Sequence, residues 1–151
     1  MEFDLLIPFV QHLGFELQVF DGGTADIRFV PQPEHLNSFG VTHGGALMCL
    51  LDVCMAHAAR SVAKDMGVVT IEMKTSFLQA AQGPLLAQGR LLYRSATLAF
   101  TEASVLDGAG QLCAHATATF KYLRRLPTTG RSSLGLSPNP AAIQENSHDD
   151  Q

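Results

Sequence analysis

Between Ala46 and Ala56 every residue is apolar or small except Asp52, and no turn former interrupts the run. A helix apolar on nearly all sides follows, and such a helix must be enclosed by the rest of the fold. An ionised carboxylate is rarely buried without a partner, because desolvating it costs several kcal/mol. Asp52 therefore lies on a narrow solvent strip of the helix, or hydrogen-bonds a neighbouring backbone group, or is a functional acid in a dry setting.

His43-Gly44-Gly45 stands at the entrance to this helix. Adjacent glycines let backbone amides approach a ligand closely, or simply permit a tight loop. A helix N-terminus presents unpaired N–H groups and partial positive charge, which suits an anion or a developing oxyanion.

Asn37, then His43-Gly44-Gly45 six residues on, then Asp52 nine residues after the histidine, resembles the signature of the hotdog-fold acyl-CoA thioesterases of the PaaI-like group. The resemblance extends over roughly residues 10 to 125. Val69-Thr70-Ile71-Glu72-Met73-Lys74 is similar to the strand after that family's helix, and Gly110 to Phe120 to its last strand.

A length of 151 residues bounds one domain of ordinary size, and 46% hydrophobic with 16% charged residues is a globular composition. The net charge of −4 argues against general nucleic-acid binding. Cys49, Cys54 and Cys113 are odd in number and lie in apolar or strand-like segments, so they read as reduced core residues of a cytoplasmic protein. Cys54 and His57, three apart, lack the four convergent ligands of a structural metal site, and no metal or other cofactor is expected. Glu2, Asp4 and Pro8 do not suit a secretory leader, and no stretch is apolar enough to span a membrane.

Residues 2 to 13 suggest a short amphipathic helix. Phe15–Phe20 and Thr24–Val30 form a hairpin around Asp21-Gly22-Gly23. Pro31 to Thr42 reads as a loop without structure of its own, delivering the chain to a helix over Gly44–Lys64. Four more strands follow: Val68–Phe77, Leu85–Arg94, Thr97–Leu106 and a last one in which Leu112, Ala114, Ala116, Ala118, Phe120 and Tyr122 alternate with polar residues. In the first of these, alternation puts Val69, Ile71, Met73, Thr75 and Phe77 on one face and Thr70 on the face turned from the helix. One buried helix among five or six antiparallel strands leaves few packings. The sheet must curl around it, giving an α+β class that agrees with the hotdog resemblance. The domain spans residues 1–126, and residues 127–151, rich in Pro, Ser, Thr and Asn, read as a disordered tail.

The resemblance implies a function for these residues. Asp52 would act as general base or nucleophile, Gly44 N–H as oxyanion donor, and Asn37 as the group that polarises the carbonyl or holds water. His43 would orient the loop or bind the carbonyl, and Thr70 would position water. Gly45, Arg90, Arg94, Ser95, Thr97 and Lys121 are the candidates for contacting substrate or its CoA portion, with Arg90 and Arg94 expected on one strand face. His43-Gly44 and Asp52 lie about 12 Å apart along one helix, too far for one carbonyl to reach both, so a dimer with sites shared between chains is expected, and a dimer of dimers beyond it. The alternative is a non-catalytic hotdog module that binds acyl-CoA or assembles with partners. Asp52 separates the two, because a pure binder has no need of a buried acid.

Overall fold

The computed structural model describes residues 1–124. The expected tail, 127–151, lies outside them. The elements run α1 (Pro8–Leu13), β1 (Glu16–Asp21), β2 (Thr24–Phe29), α2 (Gly44–Arg60), β3 (Gly67–Phe77), β4 (Leu85–Arg94), β5 (Leu98–Leu106) and β6 (Leu112–Leu123). All six strands join one antiparallel sheet in the order β1-β2-β4-β5-β6-β3. The sheet curls so that α2 touches every strand. This is the hotdog architecture.

Small residues bring helix and sheet together. Ala87, Ala99, Ala103, Ala114, Ala116 and Ala118 form much of the inner sheet surface, all nearly inaccessible. The closest approach is at Gly89, where a Cβ would stand 2.9 Å from Cys54 Sγ and 3.0 Å from Cys54 O. Any side chain there would push the helix off the sheet. The β1–β2 turn uses Gly22 and Gly23 at φ 57° and 86°, the left-handed pair a two-residue hairpin requires.

Three local expectations are corrected. The helix ends at Arg60 rather than Lys64. Arg60 Nε and Nη2 donate to Met66 O at 3.0 Å and Lys64 O at 3.1 Å, drawing residues 61–66 into a turn across the helix end. The 31–42 connection is ordered by a 3-10 turn over Pro33–His35 and a bridge between Leu36 and Thr42. Here Gln32 and His35 bond each other reciprocally, a box that the proline spacing alone did not disclose.

The third correction concerns strand faces. In β3, Thr70 pairs with Phe120 and Glu72 with Thr119, so Ile71 is an extra, bulged residue. Side chains therefore switch faces within the strand. Thr70 shares the helix side with Phe120, and Met73, Thr75 and Phe77 share it beyond the bulge. In β4, Leu91 pairs with Thr101 and Tyr93 with Phe100, leaving Leu92 as the extra residue. Arg90 thus lies opposite Glu102 on the outer face, whereas Arg94 lies opposite the buried Ala99 on the inner one. The two arginines do not share a face.

Candidate active site

Asp52 lies on the one side of α2 that the sheet leaves partly open. It is half-buried, with the exposed Met48 and half-buried Cys49 one turn before it. Thr70 Oγ1 donates to Asp52 Oδ1 at 2.7 Å, which is possible only because the bulge turns Thr70 inward. Together Met48, Cys49, Asp52, Thr70 and Met73 line a hollow of about 270 Å³. Burial raises the Asp52 pKa above the ordinary carboxylate value, and the Thr70 hydrogen bond opposes that rise. A carboxylate so placed is more basic than a solvated one, yet it stays anchored by a hydroxyl.

Burial, and next the neighbouring Asp52 charge, push the Cys49 thiol up, so it is no ready nucleophile. Cys49 is also not the core residue expected of it. Cys54 and Cys113 are buried. Cys54 Sγ donates to Ala25 O while His57 Nδ1 is bonded to Val53 O, so those two side chains serve separate backbone groups.

The helix N-terminus forms a second hollow, of about 330 Å³, whose lining includes Asn37, Thr42, Gly44, Leu47 and Phe77. His43 is the N-cap: its Nδ1 accepts from Gly45 N at 2.8 Å. The Gly45 amide is therefore used by the fold and is not available to a ligand. Gly44 N has no acceptor among the described residues, whereas the amides of Ala46 and Leu47 both donate to His43 O. A Cβ on Gly44 would stand 3.3 Å from the Phe77 ring, so the glycine keeps this entrance open. Asn37 Oδ1 accepts from Phe39 N at 2.9 Å and Val41 N at 3.3 Å. With its oxygen engaged, Asn37 presents Nδ2 as a donor.

One chain therefore keeps its donors, Gly44 N and Asn37 Nδ2, in one hollow and its acid in another. None of the described residues lines both.

The six expected substrate-contact residues do not form one patch. Arg90 is ion-paired with Glu102, whose other oxygen lies 3.4 Å from His115 Nε2. Hydrogen bonding by Arg90 holds the Glu102 carboxyl below its usual value. Arg90 is thus neutralised. Arg94 stacks over the Tyr122 ring at 4.5 Å beside Ser95 and Thr97 in the β4–β5 turn. Ser95 Oγ accepts from Thr97 N and Leu98 N, so it shapes that turn. Tyr122 OH donates to Ala59 O, which sets this cluster at the C-terminal end of α2, away from Gly44. Lys121 is exposed on the outer face.

Met48 and Cys49 escaped the sequence reading as site residues, although their positions four and three before Asp52 put them on its helix face. Met73 was on the expected helix face, and it was the inward turn of Thr70 across the bulge that brought Asp52 into the same hollow.

A curled antiparallel sheet around one helix, with an anchored acid and an open helix N-terminus, defines the class. The model of the thioesterase superfamily matches residues 39–114, and the chain belongs to that family of thioester hydrolases. A presumed esterase of Saccharolobus solfataricus is 32% identical over 103 residues, covering 68% of this chain and 74% of the relative. A conserved protein of Pseudomonas aeruginosa has a similar structure, with TM-score 0.75 and 31% identity over 78% of this chain and 95% of that one. The PaaI protein of the Escherichia coli phenylacetic acid degradation operon shares the fold, with TM-score 0.72 and 19% identity over 76% and 83% of the two chains. No helix among the described residues is long and apolar enough to cross a membrane.

Proposed function

We propose that this thioester hydrolase acts on acyl-CoA, with Asp52 as general base or nucleophile and the Gly44 amide as oxyanion donor. The observation that carries the reading is the Asp52–Thr70 pair: an acid with a raised pKa, hydroxyl-anchored, in an otherwise apolar hollow. In that setting Asp52 takes a proton from water, or attacks the thioester carbon itself, while negative charge grows on the carbonyl oxygen. Gly44 N–H and Asn37 Nδ2 meet that charge; on the base route Asp52 returns the proton it took from water to the departing sulfur, and on the nucleophile route CoA leaves as the thiolate and water hydrolyses the acyl–Asp52 anhydride. Thr70 acts by orienting Asp52, and His43 by capping the helix that aims Gly44. Free acid and CoA are the products.

The active unit is a dimer. β3 is an edge strand of 11 residues that leaves Ile71 55% and Phe77 52% exposed. A long edge with apolar side chains invites pairing with a second copy. Pairing about a two-fold axis sets the two α2 helices antiparallel, so that Gly44 and Asn37 of one chain face Asp52 of the other. Each dimer then has two sites. A dimer of dimers is a further step. Arg94, Thr97 and Lys121 remain the candidates for the CoA phosphates.

A panel of acyl-CoA thioesters assayed with a thiol-detecting reagent tests the reading. Release of CoA from at least one member, abolished by Asp52→Asn, is the expected result. No turnover on any of them, with binding retained, supports the non-catalytic module instead.

A further inference from the structure

The loop that carries Asn37 also carries a group that no role above uses. Phe39 is 88% exposed, whereas Phe15, Phe20, Phe29 and Phe120 are buried. A phenyl ring left in water forgoes the favourable free energy of its burial. The ring is not on a loose segment. Its own amide donates to Asn37 Oδ1, Asn37 N donates to Val41 O at 2.8 Å, and Gly40 N donates to Asn37 O at 3.0 Å. The backbone of Phe39 is thereby tied to the donor side chain of Asn37, and wherever Asn37 docks, the ring docks beside it.

The hollow around Asp52 offers a matching surface. Its walls are Met48, Cys49 and Met73, and Met48 is 39% exposed, so its outer side stays open in one chain. Methionine and aromatic rings attract each other at about 5 Å, and flexible thioethers adapt to the ring they meet. Resting on the shared site proposed above, we propose that Phe39 of each protomer closes the acyl pocket of its partner against Met48 and Met73, and so determines the size of acyl group accepted. The preferred substrates are thioesters of compact apolar acids. A second carboxylate on the acyl group is rejected by Asp52.

The test uses steady-state kinetics on acetyl-, butyryl-, hexanoyl-, octanoyl- and decanoyl-CoA with wild type, Phe39→Ala and Phe39→Leu, each checked for dimer mass by sedimentation. Opening the wall raises the ratio of kcat/KM for decanoyl over butyryl by about 10-fold or more in Phe39→Ala, with Phe39→Leu between, on the scale of pocket discrimination. An unchanged profile overturns the proposal. So does an equal loss on every chain length, which would place Phe39 on the common CoA portion. A second arm assigns the ring to its chain. In heterodimers of Asn37→Ala with Asp52→Ala chains, the intact site takes Asn37 from the Asp52→Ala chain. Phe39→Ala added to that chain must shift the profile, and added to the other chain must not. A shift from the wrong chain defeats the proposal. Inactive heterodimers defeat the shared site itself, and no turnover by wild type defeats the acyl-CoA reading, so the three failures are distinguishable.

Discussion

The two ends of α2 are treated in opposite ways. At its C-terminal end His57 and Arg60 are 3% exposed, and the backbone is saturated: Ala58 O accepts from Ser61 Oγ and Ala59 O from Tyr122 OH. Arg60 forks onto both oxygens of Asp4 at 3.0 and 2.8 Å, tying the N-terminal segment to the helix. That hydrogen-bonded guanidinium holds the Asp4 carboxyl below its usual value, and burial keeps His57 neutral more readily than in water. At the other end the Gly44 amide has no acceptor among the described residues, Met48 is exposed and Asp52 stands in an open hollow. A helix can thus be anchored at one end while a backbone amide at the other is left without a partner among the described residues.

The contrast is sharpest at Asp52. Asp52→Asn is expected to lower kcat by roughly 100-fold or more, the scale for losing a base, yet to stabilise the fold at neutral pH. The sign follows from the raised pKa. The folded chain holds the proton more tightly than the unfolded chain, so this contribution is present below the unfolded pKa and lost as pH rises through the folded one. Melting curves of mutant and wild type should separate at neutral pH and converge in acid. A mutant as active as wild type removes Asp52 from the mechanism.

Arg60→Ala should act in the reverse sense. It leaves Asp4 unpaired and a void beneath the N-terminal segment, with an expected loss of about 2–4 kcal/mol by denaturant titration, discounted because Asp4 is 34% exposed. The kcat of the remaining folded protein should stay near wild type. A selective loss of kcat would show that the two ends are coupled.

A smaller effect is expected at Thr70. Thr70→Val removes the hydroxyl that opposes the rise in Asp52 pKa, so the acid limb of the pH–rate profile should move to higher pH, with about a 10-fold loss at neutral pH. Thr70→Ser should restore both. A loss of rate without movement of the limb would make Thr70 a packing residue only. The smallest effect is at His43, where His43→Ala removes the cap on Gly45 at a cost of about 1 kcal/mol in stability.

What the sequence disclosed, and what it hid, has a physical pattern. The helix, the hairpin glycines and the alanine face of β6 were legible, because burial and turn geometry impose residue types at fixed periods. The donor hollow was foreshadowed by Asn37 and Gly44. The inward turn of Thr70 and the separation of Arg90 from Arg94 were not legible. Both depend on bulges at Ile71 and Leu92, single-residue slips that leave no mark in a pattern of period two. The pairing of Arg90 with Glu102 depends on register between strands, which composition does not carry.

The central claim is that two chains build each site, and mixing two inactive variants tests it most directly. Asn37→Ala and Asp52→Ala chains are refolded together, and the heterodimer is verified by mass after subunit exchange. Shared sites leave each heterodimer with one site carrying both lesions and one intact site. Random mixing makes half the dimers heterodimers, so about a quarter of wild-type activity should return, tracking the heterodimer fraction. Heterodimers that form, fold and remain as inactive as either parent would contradict the account.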